Sequence, residues 1–281
     1  MDKLTLIRIF IPFSLLAALA VWLRPLTRED CSGGKKFKIL RSGSFRNPDI
    51  RESSGLCTDG KGAFFTHNDD TDSCIYRIGI QGDDLGKFCL PAPNRDWEEI
   101  CRATDGRLFV GDFGNNLNRR KDLGILIVDS SGRFSGKIRF SYATQQDFPP
   151  LNPAKMNFDC EAMLFHYDSL WIFTKNRNSS STDLYAMPAR KGNYSLKKIT
   201  SIPLPGTVTA AALRPDGMEL ALLVYRKIYF FSLRNGLREI SSPDICLPAW
   251  QMRQTEALCY SGSDSLLMSN EQGELFLIVR R

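Results

Sequence analysis

The chain has 281 residues and a formal net charge of +6, with 43% hydrophobic and 24% charged residues. This length can bury one large core, and all-β domains commonly reach it as a single unit. The basic residues are scattered along the chain rather than gathered in one stripe, which excludes the basic footprint of a nucleic-acid-binding protein. We therefore expect one globular domain without a nucleic-acid partner.

The N-terminal segment differs from the rest of the chain. Residues 9–23 form an almost unbroken apolar run, preceded by Lys3 and Arg8 and followed by Arg24. Such a segment is typical of a secretory signal peptide or a short signal anchor. Residues 18–20 offer a cleavage site, but the apolar run continues past it, which favours an uncleaved, membrane-inserting helix.

Both interpretations predict that the rest of the chain is exported. We expect a periplasmic or extracytoplasmic domain anchored in the membrane, or a secreted protein if the signal is cleaved. The predicted organisation is a signal peptide or signal anchor at 1–24, a polar linker at 25–35 and a folded domain at 36–281.

A short motif recurs in the folded domain, consisting of a polar residue, a small or polar residue and an aliphatic residue. Its copies are Ser54-Gly55-Leu56, Glu98-Glu99-Ile100, Glu161-Ala162-Met163 and Glu256-Ala257-Leu258. A turn and further strand-like runs follow each copy. A unit of several short strands that repeats about every 45 residues is typical of a β-propeller, with one blade per unit.

The repeats predict five blades. In the fourth, Ala211 occupies the position of the repeated polar residue, and Thr209 is a nearby oxygen donor. We place the outermost strands of the third and fourth blades at 196–202 and 238–241. The last repeat lacks an outer strand, which an N-terminal strand at 36–45 can supply. The sequence therefore predicts an all-β, five-bladed β-propeller closed by an N-terminal strand, after an N-terminal membrane-inserting helix.

The eight cysteines fall into distinct patterns. Cys74 and Cys89 lie on successive predicted strands of the first blade, and in an exported chain they are the best candidates for a disulfide. Three further cysteines, Cys57, Cys101 and Cys259, occupy one equivalent position in three blades, where buried thiols are expected. No two cysteines have the C-x-x-C spacing of a structural zinc site.

Polar residues of several blades should meet at one mouth of the channel. In a propeller, the inner strands begin at the face on which the second strands end, so both sets of residues share that face. The starts of the inner strands contribute Ser54, Glu98, Glu161 and Glu256. The ends of the second strands contribute His67, Asn68, Asp69, Asp112, Asn115, Lys175 and Arg226.

Carboxylates that meet in a narrow channel need a cation or a proton among them. Ligands that are all oxygen atoms favour a hard cation, Ca²⁺ rather than Mg²⁺. We therefore predict a Ca²⁺ site whose ligands are Ser54, Glu98, Glu161 and Glu256. The alternative is that the glutamates accept backbone N–H hydrogen bonds and stabilise the junctions between blades.

The other residues at the mouth suggest roles in catalysis and in binding an anion. Asp69 or Asp112 could act as a general base, and His67 as a base or as a support for one. Lys175 and Arg226 would hold an anionic group, with Asn68 and Asn115 as further substrate-binding residues. The sequence has only two histidines and no G-x-S-x-G motif, which disfavours nucleophilic catalysis by serine.

Several of these segments resemble a family of exported bacterial β-propeller proteins that carry phytase-like or esterase-like labels. The resemblance extends over most of residues 36–281. The segments that carry it are 52–56, 66–69, 96–100, 111–116 and 255–257.

A second resemblance is to the calcium-activated nucleotidase (apyrase) family, and it lies in the order of serine, glutamates and hydroxyl around the five blades. It implies a five-bladed propeller that holds Ca²⁺ in its channel and hydrolyses nucleoside di- and triphosphates. By this resemblance Ser54, Glu98, Glu161 and Glu256 would form the Ca²⁺ ring, and Thr209 would stand where that family has a further serine. The nucleotide-binding segments of that family have no counterpart in this chain.

We therefore expect a metal-dependent hydrolase of phosphorylated or otherwise anionic small molecules. The alternative is a non-catalytic module that binds or scaffolds a component of the cell envelope. In both cases we expect a monomer that meets the membrane only through its N-terminal segment.

Overall fold

The structure is a computed structural model that describes residues 33–176, 180–249 and 252–281. The described residues form five sheets arranged as the blades of an all-β propeller, with short 3₁₀ turns and no α-helix. The predicted five-bladed propeller is thus confirmed. The predicted membrane-inserting helix lies outside these residues, and within them no helix is long and apolar enough to cross a bilayer.

Each blade has four antiparallel strands that run from the channel outwards, and the sheet of the second blade has a fifth strand at its outer edge. The inner strands are β2 (Ser53–Thr58), β6 (Trp97–Arg102), β10 (Cys160–His166), β15 (Val208–Leu213) and β19 (Thr255–Tyr260). The second strands are β3 (Phe64–Asn68), β7 (Leu108–Asp112), β11 (Ser169–Thr174), β16 (Glu219–Val224) and β20 (Ser265–Asn270). The third strands are β4 (Cys74–Ile78), β8 (Gly124–Val128), β12 (Ser181–Pro188), β17 (Lys227–Ser232) and β21 (Glu274–Arg280).

The outer strands are β5 (Asp84–Cys89), β9 (Phe134–Tyr142), β14 (Thr200–Pro203), β18 (Ile245–Pro248) and β1 (Phe37–Ser44). Burial decreases from the channel to the rim. Five of the six residues of β6 are buried, whereas none of β5 is. Inner strands pack between neighbouring blades on both faces, so nearly all of their residues are buried, polar ones included. The core therefore lies between the blades and holds the inner strands in position around the channel.

The N-terminal strand β1 is the outermost strand of the fifth blade. It pairs antiparallel with β21, from Phe37 opposite Arg280 to Ser44 opposite Glu274. The Phe37 ring also stacks on Phe230 of the fourth blade, with 4.6 Å between the ring centroids. The first and last described strands are therefore hydrogen-bonded to each other.

Three outer segments differ from the sequence prediction. Two strands replace the one expected at 196–202. The first, β13 (Gly192–Leu196), pairs in parallel with β9 of the second blade, and the second is β14 of the third blade. The expected strand at 238–241 is mainly a 3₁₀ turn (Leu237–Glu239), whose Leu237 is buried in the core, and β18 is the outer strand instead. The end of the predicted linker is a 3₁₀ turn (Gly33–Lys35), in which Gly33 is buried against the backbone of Cys246.

The predicted disulfide is confirmed. Cys74 and Cys89 are directly opposite each other on β4 and β5 and are bonded. The predicted buried thiols are also confirmed, because Cys57, Cys101 and Cys259 are free and buried. The disulfide fastens the exposed outer strand of the first blade to the buried strand beside it.

Candidate functional site

All five inner strands have an irregularity at the same point. The pairing register of each skips one residue near its start, as in a β-bulge. A bulge adds an unpaired residue to one strand and redirects its side chain. The skipped residues are Ser54, Glu98, Glu161, Thr209 and Glu256. The member of the fourth blade is therefore Thr209, and the prediction of Ala211 at this position is wrong.

The structure brings four of these five residues to one cavity of about 520 Å³ at the mouth of the channel. Of the described residues, seven carboxylates and a single basic side chain, Lys175, line it. The carboxylates are Glu52, Asp69, Asp70, Glu98, Glu161, Glu256 and Glu271. Their excess over basic groups gives the mouth a strongly negative potential, which attracts cations.

Carboxylates are most concentrated around Glu98. Its carboxylate belongs to two groups of three, one with Asp69 and Asp96 and the other with Asp159 and Glu161. In each group, one oxygen from each residue lies within 4.8 Å of the others. Glu98 is 5% exposed, and its Oε2 accepts a hydrogen bond of 3.3 Å from the Ser54 hydroxyl. This arrangement of oxygen atoms can hold a hard divalent cation.

Our sequence reasoning missed Asp96 and Asp159. Each lies two residues before a bulged glutamate, in Asp96-Trp97-Glu98 and Asp159-Cys160-Glu161. The repeated D-x-E spacing was the available signal. The corresponding residues of the first and fourth blades, Glu52 and Thr207, line the cavity, so a second set of polar residues precedes the bulged ones.

The carboxylates raise one another's pKa values. Burial, followed by the charge of Glu161, raises the pKa of Glu98 well above its usual range. Burial and the neighbouring Asp96 raise the pKa of Asp69 to about 8. Burial raises the pKa of Glu256 to about 7, although Lys175 opposes the shift. Without another cation, these groups retain protons close to neutral pH.

Lys175 is the counter-charge within the cavity. Its ammonium donates a short hydrogen bond to Glu161 Oε1, lies 3.2 Å from the Tyr225 hydroxyl and lies 5.4 Å from the centroid of the Tyr225 ring. Burial disfavours the charged ammonium, but the neighbouring groups, Glu161 foremost, together outweigh this effect and raise the pKa of Lys175. Lys175 therefore stays charged and neutralises part of the cluster.

Glu99 lies next to the cluster and closes the channel beneath it. It is 1% exposed, and its Oε1 accepts hydrogen bonds from the backbone N–H groups of Ile100 at 3.0 Å and Leu56 at 3.3 Å. Burial raises the pKa of Glu99, and N–H groups from the inner strands of four blades oppose the rise: those of Ile100, Leu56, Ala211 and Met163. A second cavity of about 470 Å³ lies at the opposite mouth and is lined by the same four residues. Glu99 thus separates the two mouths.

Two of the predicted residues from the first blade are buried outside the cavity. His67 is fully buried, contacts the Trp97 ring edge-on and has its Nδ1 3.0 Å from the carbonyl oxygen of Asn68. Burial lowers the pKa of His67 to about 4. The Asn68 Oδ1 accepts hydrogen bonds from the N–H groups of Arg51 and Glu52. Both residues support the backbone around the mouth and do not line it.

Asp112 and Asn115 also lie outside the cavity. Asp112 is 1% exposed and forms ion pairs of 2.8 Å with Arg120 and Lys137. The side chain of Asn115 bonds to the backbone of Arg120 and of Phe158, and its own N–H donates to Asp159 Oδ1 at 2.9 Å. The contacts of Asn115 order the loop after β7, and its N–H links this loop to Asp159, one of the clustered carboxylates.

Arg226 lies in the turn between β16 and β17. Its φ is +71°, its side chain is exposed, and it is not among the described residues that line the cavity. Of the seven predicted residues at the ends of the second strands, the structure therefore brings only Asp69 and Lys175 to the cavity.

Gly114 brings the loop after β7 close to the cluster. Its N–H donates to the Asp96 carbonyl oxygen at 3.1 Å. A Cβ atom at this position would overlap the side chains of Asp96 and Glu98. Arg120 donates to the Gly114 carbonyl oxygen at 2.9 Å. The absence of a side chain at Gly114 thus allows the loop to pack against the cluster.

No family model and no curated protein match this chain. Solved structures do resemble it. A structural genomics protein of unknown function from Bacteroides thetaiotaomicron has a TM-score of 0.51 and 7% identity, over 87% of this chain and 76% of that chain. A virginiamycin B lyase from Staphylococcus aureus has a TM-score of 0.45 and 15% identity, over 84% and 69%. A gluconolactonase from Xanthomonas campestris has a TM-score of 0.48 and 11% identity, over 87% and 90%. At these identities, the likeness concerns the propeller fold alone.

Proposed function

We propose that the channel mouth binds a hard divalent cation, Ca²⁺, and that the protein is a metal-dependent hydrolase of anionic small molecules. The observation that carries the proposal is the pair of three-carboxylate groups that share Glu98. Buried carboxylates so close together repel one another unless a cation or protons lie among them. In addition, Asp69 Oδ1 is buried and has no hydrogen-bond partner among the described residues.

The donor set fits Ca²⁺ better than Mg²⁺. The cluster consists of oxygen atoms on several blades, and Ca²⁺ accepts roughly six to eight such ligands with flexible geometry. Glu98, Asp96, Asp159 and Glu161 would hold the ion, with Asp69 beside it, and Ser54 would support Glu98 through its hydroxyl. Glu256 lines the cavity outside both groups of three. We propose it as a further ligand.

The chemistry of the cavity is compatible with hydrolysis. A bound Ca²⁺ would polarise a phosphoryl or ester oxygen and acidify water. Asp69 lies at the cavity wall and can accept a proton from that water. An anionic substrate would approach Lys175, which is the basic group in the described lining. Without the ion, the seven carboxylates of the lining would repel such a substrate.

Calorimetric titration of the full-length chain with CaCl₂ tests the site. We expect binding to the wild type and a loss of at least about 100-fold in affinity for Glu98→Gln, because this substitution removes the shared carboxylate. Lys87→Met is the control, since Lys87 forms its ion pair with Asp49 on the surface. Unchanged Ca²⁺ binding in a folded Glu98→Gln protein would refute the proposed site.

A substrate panel tests the activity separately. Phosphate esters, nucleotides and carboxylic esters would be incubated with the protein in CaCl₂ or in EDTA. We expect hydrolysis that requires Ca²⁺ and is absent in Glu98→Gln. Background rates throughout would favour the alternative, a non-catalytic module that binds an envelope component. The positions of His67 and Asp112 outside the cavity support that alternative.

We also propose that the domain is exported. The Cys74–Cys89 disulfide supports this, because such bonds persist mainly in oxidising compartments. Measuring the redox state of these two cysteines in cells of the source organism, with alkylating reagents, tests it. Fully reduced thiols would argue against export.

A further inference from the structure

The proposed cation site already contains a charge that belongs to the protein. Lys175 is 8% exposed, and its ammonium bonds to Glu161, a member of one of the two three-carboxylate groups around Glu98. The Lys175 backbone is fixed as well, because its N–H donates to the Asp159 carbonyl oxygen at 2.8 Å. The ammonium is thus held at the edge of the cluster.

An ammonium at this position and a divalent cation compete for the same oxygen atom. Glu161 Oε1 accepts the hydrogen bond from Lys175, and a metal ligated by that oxygen would lie within a few ångströms of the ammonium. Two positive charges this close in a buried site repel each other strongly. The ammonium must therefore move away from Glu161, or the ion binds without that oxygen.

In its present position the ammonium already has a second partner, Tyr225. The Tyr225 hydroxyl lies 3.2 Å from Lys175 Nζ, and the Tyr225 ring lies within cation–π distance. Tyr225 also lines the cavity, on the turn after β16. A shift of the Lys175 side chain towards Tyr225 would release Glu161 and would keep the ammonium in contact with the tyrosine hydroxyl and ring.

We propose that Lys175 is an internal competitor for the cation site. It neutralises the cluster in the ion-free protein, lowers the affinity for Ca²⁺ and moves from Glu161 towards Tyr225 when the ion binds. This inference rests on the proposed function, because it assumes that the cluster is the cation site. It concerns the strength of ion binding and is independent of whether the protein is an enzyme.

Removing the competitor tests the inference. We expect Lys175→Met to bind CaCl₂ about tenfold more tightly than the wild type or better in calorimetric titration, because no charge has to be displaced. Its melting temperature in EDTA should fall, and CaCl₂ should raise it by more than in the wild type. Lys175→Gln is a second variant that retains a polar group in case the methionine protein fails to fold.

Lys137→Met is the matched control. Lys137 is also a partly buried lysine paired with a buried carboxylate, but its partner is Asp112, outside the cavity. We expect its affinity for Ca²⁺ to equal that of the wild type. If Lys137→Met and Lys175→Met showed the same gain in Ca²⁺ affinity over the wild type, the gain would reflect net charge alone. The inference would then be wrong.

The remaining outcomes separate the two proposals. Wild-type binding that is unchanged or weakened in Lys175→Met and Lys175→Gln overturns the internal competitor and leaves the cation site intact. Binding by the lysine variants but not by the wild type supports the competitor in its strongest form. If no folded variant and no wild-type protein bind Ca²⁺, both the cation site and the competitor are refuted.

Discussion

Glu98 and Glu99 are neighbours in sequence, yet their carboxylates lie in opposite environments. Both are buried, and burial raises both pKa values. One oxygen of the Glu99 carboxylate, Oε1, accepts the backbone N–H groups of Leu56 and Ile100. The Glu98 carboxylate faces other carboxylates. A carboxylate that accepts backbone N–H groups is part of the structure, whereas one that lies among carboxylates is favourable only with a proton or a cation nearby.

The comparison also separates two interpretations that the sequence left open. We expected the glutamates to bind a cation, or alternatively to accept backbone N–H hydrogen bonds at the blade junctions. Glu99 forms the second kind of contact, although we had not considered it for that role. The cation interpretation remains a proposal for the cluster around Glu98.

The largest difference between the two glutamates should appear in stability. Glu99→Ala leaves buried N–H groups of Ile100 and Leu56 without their acceptor and opens a void on the axis. We expect the free energy of unfolding to fall by about 3–5 kcal/mol. Glu98→Gln, whose neutral amide resembles a protonated carboxyl group, should leave it within about 1 kcal/mol of the wild type in EDTA. Urea denaturation measures both, and equal losses would contradict the distinction.

The pH dependence should reveal the acidic cavity in the ion-free protein. The pKa values of Asp69 and Glu256 are raised from 3.8 and 4.5 to about 8 and about 7, so the folded state binds protons more tightly than the unfolded state. Stability is then greatest below the unfolded pKa values and is lost as the pH rises from about 4 to 8. The two shifts together set an upper bound of about 9 kcal/mol on this loss.

Urea denaturation in EDTA across this pH range measures that loss, and CaCl₂ should reduce it because the ion takes the place of the protons. A stability that increases steadily between pH 5 and 8 in EDTA would show that the carboxylates are ionised without a partner.

A moderate effect is expected where the loop meets the cluster. Gly114→Ala places a methyl group against Asp96 and Glu98, so the loop or the carboxylates must shift. We expect a loss of about 1–3 kcal/mol in stability and weaker Ca²⁺ binding, measured by denaturation and calorimetry. Gly34→Ala is the control, because its Cβ would meet no atom within 4 Å. Unchanged affinity in Gly114→Ala would show that the loop does not position the cluster.

The smallest effect is expected at Arg226, which the sequence suggested as a substrate-binding residue. Its exposed side chain lies in a turn away from the cavity lining. We expect Arg226→Ala to change stability by less than about 0.5 kcal/mol and to leave Ca²⁺ affinity and hydrolysis unaltered. A large rise in KM for an anionic substrate would return Arg226 to the site.

The fold was predictable because its signals are local. The recurring motif, the turn residues between short strands and the positions of Cys74 and Cys89 all reflect pairing within a blade. Segments that cross between blades were not predictable. The strand β13 joins the preceding blade in parallel, and nothing in its five residues shows which edge it will meet.

The site was predictable only in part, because a bulge breaks the alternation of side chains. Counting alternate residues from the motif led to Ala211 instead of Thr209, and it gave no reason to direct both Glu98 and Glu99 towards the channel. Asp96 and Asp159 were detectable from their repeated spacing to the bulged glutamates. Asp112 forms ion pairs with Arg120 and Lys137. The pair with Arg120 depends on the conformation of a loop, which the periodicity of the sequence does not predict.

The shared bulge also makes the five ring positions exchangeable. The register skip recurs with serine, glutamate and threonine at its centre, so the backbone and not the side chain determines it. Each blade therefore presents one residue that can change without disturbing strand pairing. Related propellers with the same five bulges could acquire quite different ligands through single substitutions at these positions, while the scaffold that carries them stays constant.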